Sequence, residues 1–125
     1  MANAKDQAEY EKILDSLRSI QLELSTFIET RQKLESQLQE SLIVQKEFDI
    51  LDQDSKIYKL IGPVLVPQDR QEAVMNVDKR LEFIQSEIKR TETKIAEAQT
   101  NTDKKRSELL AFQAQIQQKV AGAAA

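Results

Sequence analysis

The chain has no cysteine and no histidine. Without cysteine there are no disulfides and no thiol chemistry, a usage that suits a reducing compartment. Without either residue, zinc and copper lose their preferred ligands, and Ser-His or Cys-His nucleophile pairs cannot be built. Only two glycines and two prolines are present. No glycine-rich loop can cradle a phosphate, so neither ATP nor another nucleotide cofactor is expected. No apolar run approaches the ~20 residues that span a bilayer. Met1 to Asp6 lacks an apolar stretch and carries an early acid, so it does not read as a secretory signal. Lys and Arg number 18 against 21 Asp and Glu, a net charge of −3. That balance offers no positive excess to release counterions from a phosphate backbone, which argues against nucleic acid as a partner. The expectation is a soluble, cytoplasmic protein that is not an enzyme.

What remains is a composition for long helices: 40% hydrophobic, 31% charged and only 5% aromatic. From Tyr10 to Phe48 the residues Tyr10, Ile13, Leu17, Ile20, Leu24, Phe27, Arg31, Leu34, Leu38, Ser41, Gln45 and Phe48 step alternately by three and four. Nine of these twelve are apolar, as in the a/d seam of a coiled coil. A second seam runs Val74, Val77, Leu81, Ile84, Ile88, Thr91, Ile95, Ala98, Thr102, Lys105, Leu109, Phe112, Ile116 and Lys119. Asp69 is placed to cap its first turn, with Glu72 three residues on as in a capping box. Two helices of similar length joined by a short connector fold back as an antiparallel pair. In one register Tyr10 faces Phe112, Ile13 faces Leu109, Leu24 faces Ala98, Phe48 faces Val74, and the polar Arg31 faces the polar Thr91. Helices are expected over about residues 6–51 and 69–120, roughly 70 Å for the first. The Ala-rich end 121–125 is expected to be disordered, and 1–125 forms one domain.

The connector, about residues 56–66, is the one stretch that reads as β-structure. Ile57, Tyr58, Ile61, Val64 and Val66 fit a pleated, half-buried surface, and Gly62-Pro63 punctuates the run as a hairpin turn. Alternation puts Ile57, Lys59, Ile61 and Leu65 on one side and Tyr58, Leu60, Val64 and Val66 on the other. Both faces are then largely apolar. A lone two-stranded hairpin is marginal in water, so this one is expected to pair with hairpins of other chains.

The run Tyr58-Lys59-Leu60-Ile61-Gly62-Pro63-Val64-Leu65-Val66 resembles the β-class subunits of prefoldin. Arg31-Gln32-Lys33-Leu34-Glu35-Ser36-Gln37-Leu38, Lys79-Arg80-Leu81-Glu82-Phe83-Ile84 and Glu87-Ile88-Lys89-Arg90 support the likeness, which covers residues 10 to 115. The resemblance implies a hexamer of two α-class and four β-class subunits, with the hairpins joined into a β-barrel platform that carries the coiled coils. It also implies an ATP-independent holdase that binds unfolded or nascent chains, notably actin and tubulin, and delivers them to the cytosolic chaperonin. Residues Ile57, Tyr58, Leu60, Ile61, Gly62, Pro63, Val64, Leu65 and Val66 are then the assembly device.

The candidate client site lies at the open end of the coil, where both chain ends meet. Tyr10, Ile13, Leu14 and Leu17 there face Leu109, Leu110, Phe112, Ile116 and Val120, and Leu14 and Leu110 fall outside the seam. One reading is local packing at a fraying coil end. The other is a client tip that unzips at low cost and offers non-directional apolar contacts. The polar layers Thr91, Thr102 and Lys105 are expected to make the distal half the more mobile. Acid pairs such as Glu9/Glu11 or Glu92/Glu97 are solvated helix surface, where nothing excludes water or shifts a carboxylate for catalysis. Lys104-Lys105-Arg106 is read as solvating the second helix. A structural tether without chaperone activity is the alternative, although a tether needs only a tight polar turn. A helical arm of an enzyme such as a synthetase is disfavoured, since no catalytic domain accompanies it.

Overall fold

The computed structural model describes residues 3–124, in the order α1 (Ala4–Ile50), β1 (Ile57–Ile61), β2 (Val64–Gln68) and α2 (Arg70–Ala124). The architecture is mainly α with one antiparallel hairpin, as the periodicity implies. Its described residues divide into two compact units, 3–29 with 92–124 and 30–91.

The seam spacing accounts for what is buried. Every seam position named above is buried or half-buried except Lys119, while residues between them are mostly exposed. In the first unit Ile13, Leu17 and Ala98 are buried, and Tyr10, Phe27, Leu109 and Phe112 are half-buried. In the second, Ala73, Leu81, Ile84 and Ile88 are buried. A buried aliphatic side chain of this size stabilises by about 1.5–3 kcal/mol over its exposed state, which drives the pairing of the two amphipathic stripes.

Cross-helix contacts run antiparallel within each unit. In the first, Gln113 Nε2 donates to Tyr10 Oη at 3.4 Å and Lys94 Nζ lies 5.7 Å from the Phe27 ring centre. In the second, Gln45 Nε2 donates to Asp78 Oδ1 at 3.0 Å. Each of these contacts falls one residue from the seam partner that the register assigns. The polar layers are satisfied locally: buried Thr102 donates its hydroxyl to the Ala98 carbonyl at 2.8 Å, and half-buried Lys105 binds Glu108 at 3.1 Å.

The helix ends have specific partners. Asp69 Oδ2 accepts from the Glu72 amide at 3.3 Å, the expected cap of α2. Asn3 Oδ1 does the same for the Asp6 amide at 2.8 Å, a cap of α1 that the periodicity did not flag. Asp6 itself extends the seam one step below Tyr10 and is buried, with Lys119 Nζ 3.5 Å from its carboxylate. The C-terminus of α1 has no basic residue in its last turn. Arg70, the first residue of α2, supplies the missing donors: Nη1 reaches the Asp52 carbonyl at 2.8 Å, and Nη2 reaches those of Phe48 at 2.8 Å and Leu51 at 3.0 Å.

Two expectations are corrected. The tail from residue 121 is not disordered: α2 continues through Ala121–Ala124, because alanine is the best helix former and a single Gly122 costs only about 1 kcal/mol. Ala125 lies outside the described residues. The hairpin faces also differ. The register is Ile57↔Gln68, Tyr58↔Pro67, Lys59↔Val66, Leu60↔Leu65 and Ile61↔Val64. Directly opposed residues share a face, so Val64 and Val66 lie with Ile61 and Lys59, and Leu65 lies with Leu60 and Tyr58. A two-residue turn makes odd positions oppose even ones, and counting straight through the turn misassigned β2. Gly62 has φ 59° and Pro63 cannot follow it there, the pattern of a type II′ turn whose twist suits a hairpin.

Candidate functional site

Two surfaces carry the predicted residues, one in each unit. In the second unit the strands present Tyr58, Leu60, Ile61, Val64, Leu65 and Val66 to solvent, with only Ile57 and Gln68 half-covered. In this register one face carries Ile61, Val64 and Val66, and the other Tyr58, Leu60 and Leu65. Both remain apolar. Soluble chains rarely expose a contiguous patch of this kind unless something binds it.

In the first unit the predicted client residues separate into four groups. Ile13 and Leu17 are buried in the seam and can reach a ligand only if the helices part. Leu109 and Phe112 are half-buried in the same seam. Tyr10, Leu14 and Ile116 line an open groove of about 580 Å³ together with Gln7, Glu11, Asp15 and Arg18. Leu110 stands apart, 66% exposed and not part of the groove wall. Tyr10, Leu14 and Ile116 in the groove, with the exposed Leu110, are thus the members within reach of a visiting chain while the helices stay paired.

The groove rim was missed by reading the seam alone. Gln7, Glu11, Leu14 and Arg18 recur at steps of four, three and four, a stripe beside the seam that the same periodicity could have shown. Asp15 and Arg18 form an exposed ion pair at 3.7 Å, worth little in water. The groove therefore has an apolar floor and a rim of mixed charge. Such a surface can hold an apolar side chain without reading a particular sequence. No described group of three or more His, Cys, Asp or Glu is placed to hold a metal ion, and no described helix is long and apolar enough to cross a membrane.

Comparison with known proteins agrees with this arrangement. The pattern of the family described as Prefoldin subunit matches residues 11–122. Prefoldin subunit 6 of Saccharomyces cerevisiae is 54% identical over 93 residues, covering 74% of this chain and 82% of the yeast protein. Prefoldin subunit 6 of Homo sapiens is 40% identical over 113 residues, 90% of this chain and 84% of the human protein. Among solved structures, the prefoldin beta subunit from Thermococcus strain KS-1 superposes with a TM-score of 0.74 at 19% identity, over 82% of this chain and 90% of that one, a likeness of fold. The helix–hairpin–helix order, the apolar hairpin and the extent of these matches lead to one conclusion: the chain belongs to the prefoldin subunit family.

Proposed function

We propose that this prefoldin subunit, a component of a molecular chaperone, holds unfolded polypeptides without ATP through the surface formed by its paired helix ends. It joins α-class and further β-class subunits in a heterohexamer through residues 57–66, works in the cytoplasm, and passes clients such as actin and tubulin to the cytosolic chaperonin. The observation that carries the reading is the presence, in separate units of one chain, of two unlike apolar surfaces. The hairpin has a fixed strand register and free edges, suited to partners of defined geometry. The groove by Tyr10, Leu14 and Ile116 has no such template, and suits clients of no defined sequence.

Magnitudes favour many weak contacts. A few hundred Å² buried at ~25 cal/mol per Å² contributes several kcal/mol before ordering costs, too little for one subunit to hold a client alone. Several subunits acting on one chain supply the rest by effective concentration. The test is suppression of aggregation of denatured actin by the reconstituted complex. Replacing Leu14, Leu110 and Ile116 by Ser is expected to weaken holding and leave assembly intact, and Ile61→Asp with Val64→Asp to block assembly. Undiminished holding by the first variant would refute the client assignment.

A further inference from the structure

The apolar surface of the second unit does not stop at the hairpin. Ile43 and Ile50 lie two residues beyond the seam positions Ser41 and Phe48, the point of the heptad that faces furthest from a partner helix. They are 61% and 74% exposed, and Val44 beside them is 42% exposed. The equivalent positions earlier in α1 are Asp15, Leu22, Glu29 and Ser36, mostly polar as that position demands. Pairing of α1 with α2 gives no reason for two successive isoleucines on the outer face, about 10 Å apart.

Arg70 places this row at the root of the hairpin. It follows β2 by two residues, and its guanidinium binds the carbonyls of Phe48, Leu51 and Asp52. Ile50 lies between these in sequence and Arg70 follows Gln68 by two residues, so one side chain ties the end of α1 to the chain just after the hairpin. The strands themselves hold only ten residues, five in each, whereas a stable protein interface takes roughly 20–30 residues a side.

We propose that Ile43, Val44 and Ile50 extend the subunit interface from the hairpin onto the outer face of α1, where a neighbouring prefoldin subunit covers them. The inference rests on the hairpin being the assembly device and adds a second, helical element to it. Glu40, Glu47, Asp49, Asp52 and Asp54 flank the row in sequence against Lys46, and the nearby Arg70 guanidinium is committed to the carbonyls of Phe48, Leu51 and Asp52. The facing surface of the neighbour is therefore apolar with a lysine- or arginine-bearing rim.

The test uses the chain co-expressed with its partner subunits. Ile43→Gln with Ile50→Gln changes exposed positions to a good helix former, so far-UV circular dichroism of the free subunit should not change. Incorporation into the complex, read by native mass spectrometry over a concentration series, is expected to weaken about tenfold or more. A photo-crosslinking residue at position 43 is expected to capture another subunit. Unchanged assembly, or crosslinks only to an unfolded client, would overturn the proposal. Ile61→Asp with Val64→Asp is run in parallel. If that variant assembles normally, the hairpin reading fails by itself, while the outer row stands or falls on its own variant and crosslink.

Discussion

Replacing Arg70 by Met removes the guanidinium and keeps most of the aliphatic stem, so the effect isolates three hydrogen bonds to the end of α1. A hydrogen bond to a charged group is worth about 1.5–3 kcal/mol net. The three do not add, because one cation serves all of them and the exposed Asp52 carbonyl regains water when it leaves. Two features keep the loss from being trivial. The last turn of α1 offers no cation of its own, and Glu47 and Asp49 place negative charge at the negative end of the helix dipole. A net loss of about 2 kcal/mol is a reasonable value, equivalent to about 30-fold in an opening equilibrium. Hydrogen exchange across residues 47–52 reads it directly, with α2 from 81 to 88 as an internal control. Arg70→Lys should restore only part of the protection, since an ammonium lacks the planar fork that reaches separate carbonyls. Less than threefold acceleration in the Met variant, or full rescue by Lys, would refute the reasoning.

Other outcomes follow from the packing. Ile84→Ala, at a position only 2% exposed, should destabilise by about 2–5 kcal/mol in thermal unfolding of the assembled protein, whereas Phe83→Ala on the exposed face next to it should change little. Gly62→Ala should cost about 1–2 kcal/mol from its φ of 59° alone, since nothing lies within 4 Å of a new Cβ; it should appear as reduced strand protection. Hydrogen exchange should be faster in residues 3–29 and 92–124 than in 30–50 and 70–91, and uniform protection along both helices would contradict it.

Most of the fold was legible because a coiled coil writes its packing into its spacing. The seam from Tyr10 to Phe48 and that from Val74 to Ile116 could be named residue by residue, and burial follows them. The strand faces could not, since parity depends on the number of residues in the turn, and Gly62-Pro63 leaves no middle residue to count through. Arg70 gave no local signal either. Its partners are 18 to 22 residues away and are backbone carbonyls, which carry no side-chain identity for a pattern to detect. At the candidate client surface, periodicity separated Leu14 and Leu110 from the seam. It did not show how deeply each seam residue is covered, with Ile13 and Leu17 buried but Tyr10 and Ile116 only half-buried, because depth at a coil end depends on how closely two helices approach and not on spacing within one.

The two-helix seam also has no true interior. No large side chain among the described residues is wholly shut off from solvent. A chain built this way draws much of its resistance to unfolding from whatever binds its exposed hairpin, so its stability rises with the concentration of its partners. A copy made in excess spends more of its time open and is cut by proteases in that state. Its abundance in a cell should therefore track that of the other subunits, with stoichiometry kept by degradation of the unassembled surplus and not by matched synthesis.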